Sequence, residues 1–90
     1  MESRRIWKFE LKVTDQQFVS MPKDPEILSV QYQGQQLCVW AMVEPENVKK
    51  PYRFLIFGTG SPLPNEHWGT YLATVQDPHR PLVWHVFHGT

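Results

Sequence analysis

The residues best suited to chemistry gather around Gly58-Thr59-Gly60-Ser61, a run of small side chains whose backbone N–H groups can form an anion-holding nest. Arg53 opens the same segment and offers a cation. Trp68 and His85, each in a Trp-His pair, offer a ring to stack on a planar ligand and an edge to hydrogen-bond it. Together these residues suit a small polar or nucleotide-like ligand, with phosphate on the backbone donors and the arginine and a base against the aromatics. The run matches neither phosphate fingerprint, because Leu63 stands where a third glycine belongs and no lysine or helix follows. A turn that needs positive φ at Gly58 or Gly60 accounts for the same glycines without any ligand.

Catalysis has weaker footing. Thr59 and Ser61 become nucleophiles only when a base, itself held by a third group, takes their proton. His67 or His85 offers such a base, but no spacing fixes the geometry, and Asp and Glu fall mainly in turns. The expectation is a non-enzymatic protein, with a Ser/His hydrolase as the minor alternative; no catalytic residue and no cofactor is assigned. The four histidines, His67, His79, His85 and His88, lack ligand spacing, and positions 85 and 88 face opposite ways on a strand, so no metal site is expected. Cys38 lies in the apolar run of residues 37–43, where a thiol is buried and inert, and a single cysteine makes no internal disulfide.

Nine Lys and Arg balance nine Asp and Glu, so no overall field draws the chain to long nucleic acid. The basic residues Arg4, Arg5, Lys8 and Lys12 read as a solvated face. No apolar stretch approaches the ~20 residues of a membrane span, and the N-terminus has no signal-peptide core, so a cytoplasmic protein without a membrane partner is expected. Ninety residues make one domain over 1–90, with residues 1–4 flexible. A chain of this size buries only about 60–65% of its unfolded surface, so its four Trp, five Phe and three Tyr carry much of the core, and homo-oligomerisation would hide the remainder.

The elements that must position the site are strands. Prolines 22, 25, 45, 51, 62, 64, 78 and 81 fall between apolar segments of five to eight residues rich in Val, Ile, Phe, Trp and Tyr. Strands are predicted at 6–13, 17–21, 27–33, 37–43, 52–57, 70–76 and 82–87, with no helix. Gly34 makes the most secure hairpin, between the third and fourth; the first and second are expected to pair through residues 14–16. Residues 44–51 read as a surface loop. Residues 58–69 form a second loop, longer than most, of the kind that carries function. The fold class is all-β, a small antiparallel sandwich or partly open barrel of about seven strands. The likeness of Ile56-Phe57-Gly58-Thr59 to the closing Val86-Phe87-His88-Gly89-Thr90 is too short to mark a duplication.

Several segments stand together in this chain: Ile6-Trp7-Lys8-Phe9-Glu10-Leu11, Met21-Pro22, Ile27-Leu28-Ser29-Val30-Gln31, Leu37-Cys38-Val39-Trp40-Ala41, Arg53-Phe54, Gly58-Thr59-Gly60-Ser61-Pro62 and Val83-Trp84-His85-Val86-Phe87. In this combination the chain resembles a family of short proteins of unknown function encoded by bacteriophages and bacterial mobile elements. The resemblance covers residues 5–88 and implies a single domain and a phage origin, without catalytic residues. It also implies a stoichiometric role in the host bacterial cytoplasm: sequestering a small polar or nucleotide-derived ligand through Arg53, Gly58, Thr59, Gly60, Ser61, Trp68 and His85. The alternative is an inhibitor that masks a host protein and has no small-molecule pocket.

Overall fold

Each of the seven apolar segments forms a strand in the computed structural model, which describes residues 3–65 and 69–89. These are β1 (Arg5–Leu11), β2 (Gln16–Pro22), β3 (Glu26–Gln33), β4 (Gln36–Val43), β5 (Lys49–Gly58), β6 (Gly69–Gln76) and β7 (Val83–Gly89). They build a three-stranded sheet, β1-β4-β3, and a four-stranded sheet, β2-β5-β7-β6, with every neighbouring pair antiparallel. Both sheets stay open, so of the two expected architectures the sandwich is the one adopted. The shortest dimension, 15 Å, fits two sheets stacked about 10 Å apart.

The core lies between the sheets. Leu11, Val30, Leu37 and Val39 from one side meet Met21, Phe54, Ile56 and Val86 from the other. Alternation then assigns the opposite face of β5 and β7 to Arg53, Leu55, Phe57, His85 and Phe87. That outer face of the four-stranded sheet is the one onto which residues 58–65 fold.

The β3–β4 hairpin forms as expected, closed by Gly34 and Gln35 between Gln33 and Gln36. Positive φ occurs at Gly34 (62°) and not at Gln35, the pattern of a II′ turn, which asks for glycine at its first central position.

The expected hairpin of β1 with β2 does not form. β1 pairs with β4 (Leu11↔Leu37), and β2 crosses to the other sheet and pairs with β5 (Phe18↔Arg53). The crossing lets Leu11 and Met21 enter one core from opposite sides. A side-chain clamp stands in for the missing ladder: Lys12 N–H donates to Gln17 Oε1 at 2.9 Å, and Gln17 Nε2 donates back to the Lys12 carbonyl at 2.6 Å.

Two prolines also depart from the expected punctuation. Pro22 ends β2, an edge strand, and Pro51 lies inside β5, which begins at Lys49 within the segment read as a loop. β7 pairing starts only at Phe54↔His88, so at Pro51 one side of β5 carries no ladder and the missing N–H is tolerated. At the chain start, Arg4 reaches Glu44 at 3.5 Å and Glu26 at 3.9 Å.

Among the described residues three buried side-chain atoms make no hydrogen bond of good geometry: Arg53 Nε and, in the interior, Tyr32 Oη from β3 and Trp84 Nε1 from β7, which lie near one another. Burial pushes the Tyr32 hydroxyl pKa up, helped by the Asp77 carboxylate and opposed by the nearby Trp84 N–H and Arg80. An unpartnered buried polar group costs about 1–3 kcal/mol, so Tyr32→Phe is expected to leave stability unchanged or raise it by about 1 kcal/mol in urea unfolding. A loss of more than about 1 kcal/mol would show instead that the hydroxyl holds a partner, such as an enclosed water.

Candidate functional site

β5 runs out of the core at Gly58 into a tight turn. Ser61 N–H donates to the Gly58 carbonyl at 3.1 Å, and Gly60, third in the turn, has φ of 89°, the signature of a type II turn. Thr59 N–H donates to the Val83 carbonyl at 3.3 Å, tying the turn to β7. Two of the N–H groups that a phosphate nest would use are therefore engaged within the fold.

Beyond the turn, residues 61–64 lie beside the sheet and enclose two hollows. The larger, about 770 Å³, is walled by Asp15, Leu55, Phe57, Ser61, Leu63 and Trp84. A smaller one, about 200 Å³, lies between Gly60, Leu63, His85 and Phe87. Its walls are mostly apolar with a few polar groups, the composition of a small-ligand site.

A hydrogen-bonded row crosses the outer face beside the smaller hollow. Thr59 Oγ1 lies 2.8 Å from His85 Nε2, Thr74 Oγ1 lies 3.0 Å from His85 Nδ1, and Tyr71 Oη lies 2.7 Å from Thr74 Oγ1. The β6 bulge makes this possible. Tyr71 opposes Phe87 and Ala73 opposes Val86, so Leu72 is the extra residue, and positions 71 and 74, which would otherwise face opposite ways, share the outer face. Around the row the rings meet edge to face, Phe57 with Phe87 at 5.9 Å and Tyr71 with Phe87 at 5.6 Å.

The order hydroxyl–imidazole–hydroxyl has the outline of a nucleophile, base and orienting group. Its third member is Thr74, which carries no charge to stabilise an imidazolium as a carboxylate does. What the row supplies is a fixed series of donors and acceptors whose direction reverses when the His85 ring proton moves from one nitrogen to the other.

A family model described as a domain of unknown function, DUF7352, matches residues 2–90. The chain belongs to the DUF7352 family. No curated protein and no solved structure matches it.

In this DUF7352 member, Gly58, Thr59, Gly60, Ser61 and His85 line one hollow. Arg53 shares the outer face but lies four residues along β5 from Phe57, about 13 Å at strand spacing, and does not line it. Trp68 lies outside the described residues. Trp84 faces inward and packs on the core, although its edge reaches the larger hollow. His88 also turns inward, stacked on Phe54 at 5.4 Å, and burial pulls its pKa down. Cys38 is fully buried in β4, and burial pushes its thiol pKa up.

Among the described residues of the DUF7352 fold, no three His, Cys, Asp or Glu side chains group closely enough to hold a metal ion, and no helix is long and apolar enough to cross a membrane. Sequence reading missed Thr74 and Tyr71, since a bulge leaves no mark in an alternating pattern.

Proposed function

We propose that the protein is a non-enzymatic binder of phage type, which takes a small polar or nucleotide-like ligand beside the turn at residues 58–61 and withholds it from a host pathway in the bacterial cytoplasm. The observation that carries this reading is the row Thr59–His85–Thr74–Tyr71 next to a hollow walled by Leu63, Phe87 and the glycine turn. It joins hydrogen-bonding edges to apolar walls, the pairing that orients a heterocycle.

Thermal unfolding against a panel of nucleotides and cyclic oligonucleotides tests it. A ligand present at 100 times its Kd adds about 2.7 kcal/mol of stability, and His85→Ala should abolish that gain. Gly60→Val adds a second arm. Nothing lies within 4 Å of a Cβ at Gly60, so the substitution meets only the backbone strain of positive φ, about 1–2 kcal/mol or more for a β-branched residue, and should still fold while adding bulk at the rim of the hollow. Ligand recovered chemically unaltered after denaturation counts against a hydrolase.

A second reading, a protein that masks a host protein, is favoured by Phe18 and Tyr71, which are 61% and 55% exposed at the two margins of the outer face. Exposed aromatics of this kind are enriched in interface cores. No shift with any ligand, together with a stoichiometric complex with one purified host protein, would replace the first reading with this one.

A further inference from the structure

The four strands of the larger sheet contain no Asp or Glu, while β5 alone carries Lys49, Lys50 and Arg53. The three-stranded sheet differs, with Glu10 and Glu26 among its strands. Among the described residues the ion pairs join Arg4 to Glu26 and Glu44 and Arg80 to Asp77, and none involves Arg53.

Arg53 is also held in place. A Cβ built on Gly89 would fall 2.7 Å from Arg53 Nε, 2.9 Å from its Cβ and 3.0 Å from its Cγ, so the arginine stem lies across the Gly89 backbone. Gly69 pairs with Gly89, so the rung beside the arginine stem carries no side chain. Its Nε is buried and makes no hydrogen bond. The buried Nε is closed to a ligand, but the half-buried side chain enters no ion pair among the described residues, and the planar fork of its terminal Nη groups matches phosphate or carboxylate. Directly across the ladder stands Phe18, whose ring is exposed. Opposed residues have Cβ atoms about 5 Å apart, close enough for one ligand to touch both.

We propose that Arg53 and Phe18 form a subsite for a nucleoside monophosphate, with the phosphate on the Arg53 guanidinium and the base against the Phe18 ring. The inference rests on the binding part of the reading above, gives its ligand class and moves the ligand from the hollow at residues 58–61 to Arg53. Bare inorganic phosphate shares the anion chemistry but gains nothing from Phe18, and a nucleoside shares the ring but gains nothing from Arg53.

Isothermal titration with adenosine 5′-monophosphate, adenosine and inorganic phosphate separates these cases. The monophosphate is expected to bind at least tenfold more tightly than either fragment. Arg53→Gln should bring its affinity down to that of adenosine, and Phe18→Ala down to that of phosphate. Gly89→Ala, which keeps every charge but displaces the arginine stem, should also weaken it at least tenfold; circular dichroism checks that each variant is folded.

Tenfold losses in these three variants with no change in His85→Ala would uphold the subsite and remove the ligand from the hollow beside residues 58–61. Equal binding of adenosine and the monophosphate, lost in His85→Ala and unchanged in Arg53→Gln, would overturn the subsite and leave the binding reading standing. Phosphate bound as tightly as the monophosphate would overturn the role of Phe18. Binding of none of the three probes would overturn the proposal outright.

Discussion

Phe54→Ala is expected to remove about 3–5 kcal/mol of unfolding free energy, the range for deleting a fully buried aromatic. Phe54 has no exposed surface and stands on the inner face of β5, between strands β2 and β7. Its ring stacks on His88, which in turn meets Tyr52 at 5.9 Å, so removal opens a cavity and frees a second ring. Small domains hold only about 5–15 kcal/mol in total, which makes this one substitution enough to unfold a large fraction of the chain near its midpoint. Urea unfolding followed by tryptophan fluorescence reads the change, and Phe54→Leu, which leaves a smaller void, should cost less. A loss below about 1.5 kcal/mol for the alanine variant would mean that the two sheets close over the gap, placing the main packing elsewhere.

Gly69→Ala is expected to cost about 1–3 kcal/mol, as overpacking does when the obstacle cannot move. The Cβ would overlap the His88 carbonyl oxygen and crowd the Gly89 Cα, both backbone atoms of the paired strand. The first rung of β6 on β7, Gly69↔Gly89, would have to open. Gly89 meets a milder obstacle: Arg53 Nε can swing away, and Arg53 Cβ, fixed by its own backbone, would stand 2.9 Å off, a smaller overlap than that with the carbonyl at Gly69. In a domain of 60–100 residues each kcal/mol shifts the melting temperature by roughly 4–8 °C, so thermal unfolding should separate the two alanine variants. An equal or larger drop for Gly89→Ala would contradict that ordering.

Strand positions were legible in the sequence because the apolar segments are short, some alternating (6–13, 27–33) and some continuous (37–43, 54–57), and Gly, Pro or polar turn residues separate them. Partner choice was not. Residues 6–13 and 17–21 look like a hairpin from either side of a short turn, and only the shared burial of Leu11 and Met21 from opposite sheets shows that the chain crosses between layers. Pro51 misled for a related reason: a proline stops a strand only where both sides are paired, and at that point one side of β5 is open. At the candidate site the glycine turn could be read from residue types, because positive φ is a local demand. The row built on His85 could not, since it depends on a bulge at Leu72 that brings Tyr71 and Thr74 onto one face.

The crossing of the chain between layers also bears on how the domain folds. β1 pairs with β4 while β2 pairs with β5, so the two pairings interleave along the sequence and each encloses part of the other. Only the β3–β4 and β6–β7 ladders close short loops. Neither sheet can then be completed as an independent unit, and the loop-closure entropy of both must be met before the inner faces of β2 and β5 find β1 and β4. Such a topology is expected to fold in milliseconds to seconds, where a helical bundle of the same length takes microseconds to milliseconds, and to unfold in a single cooperative step.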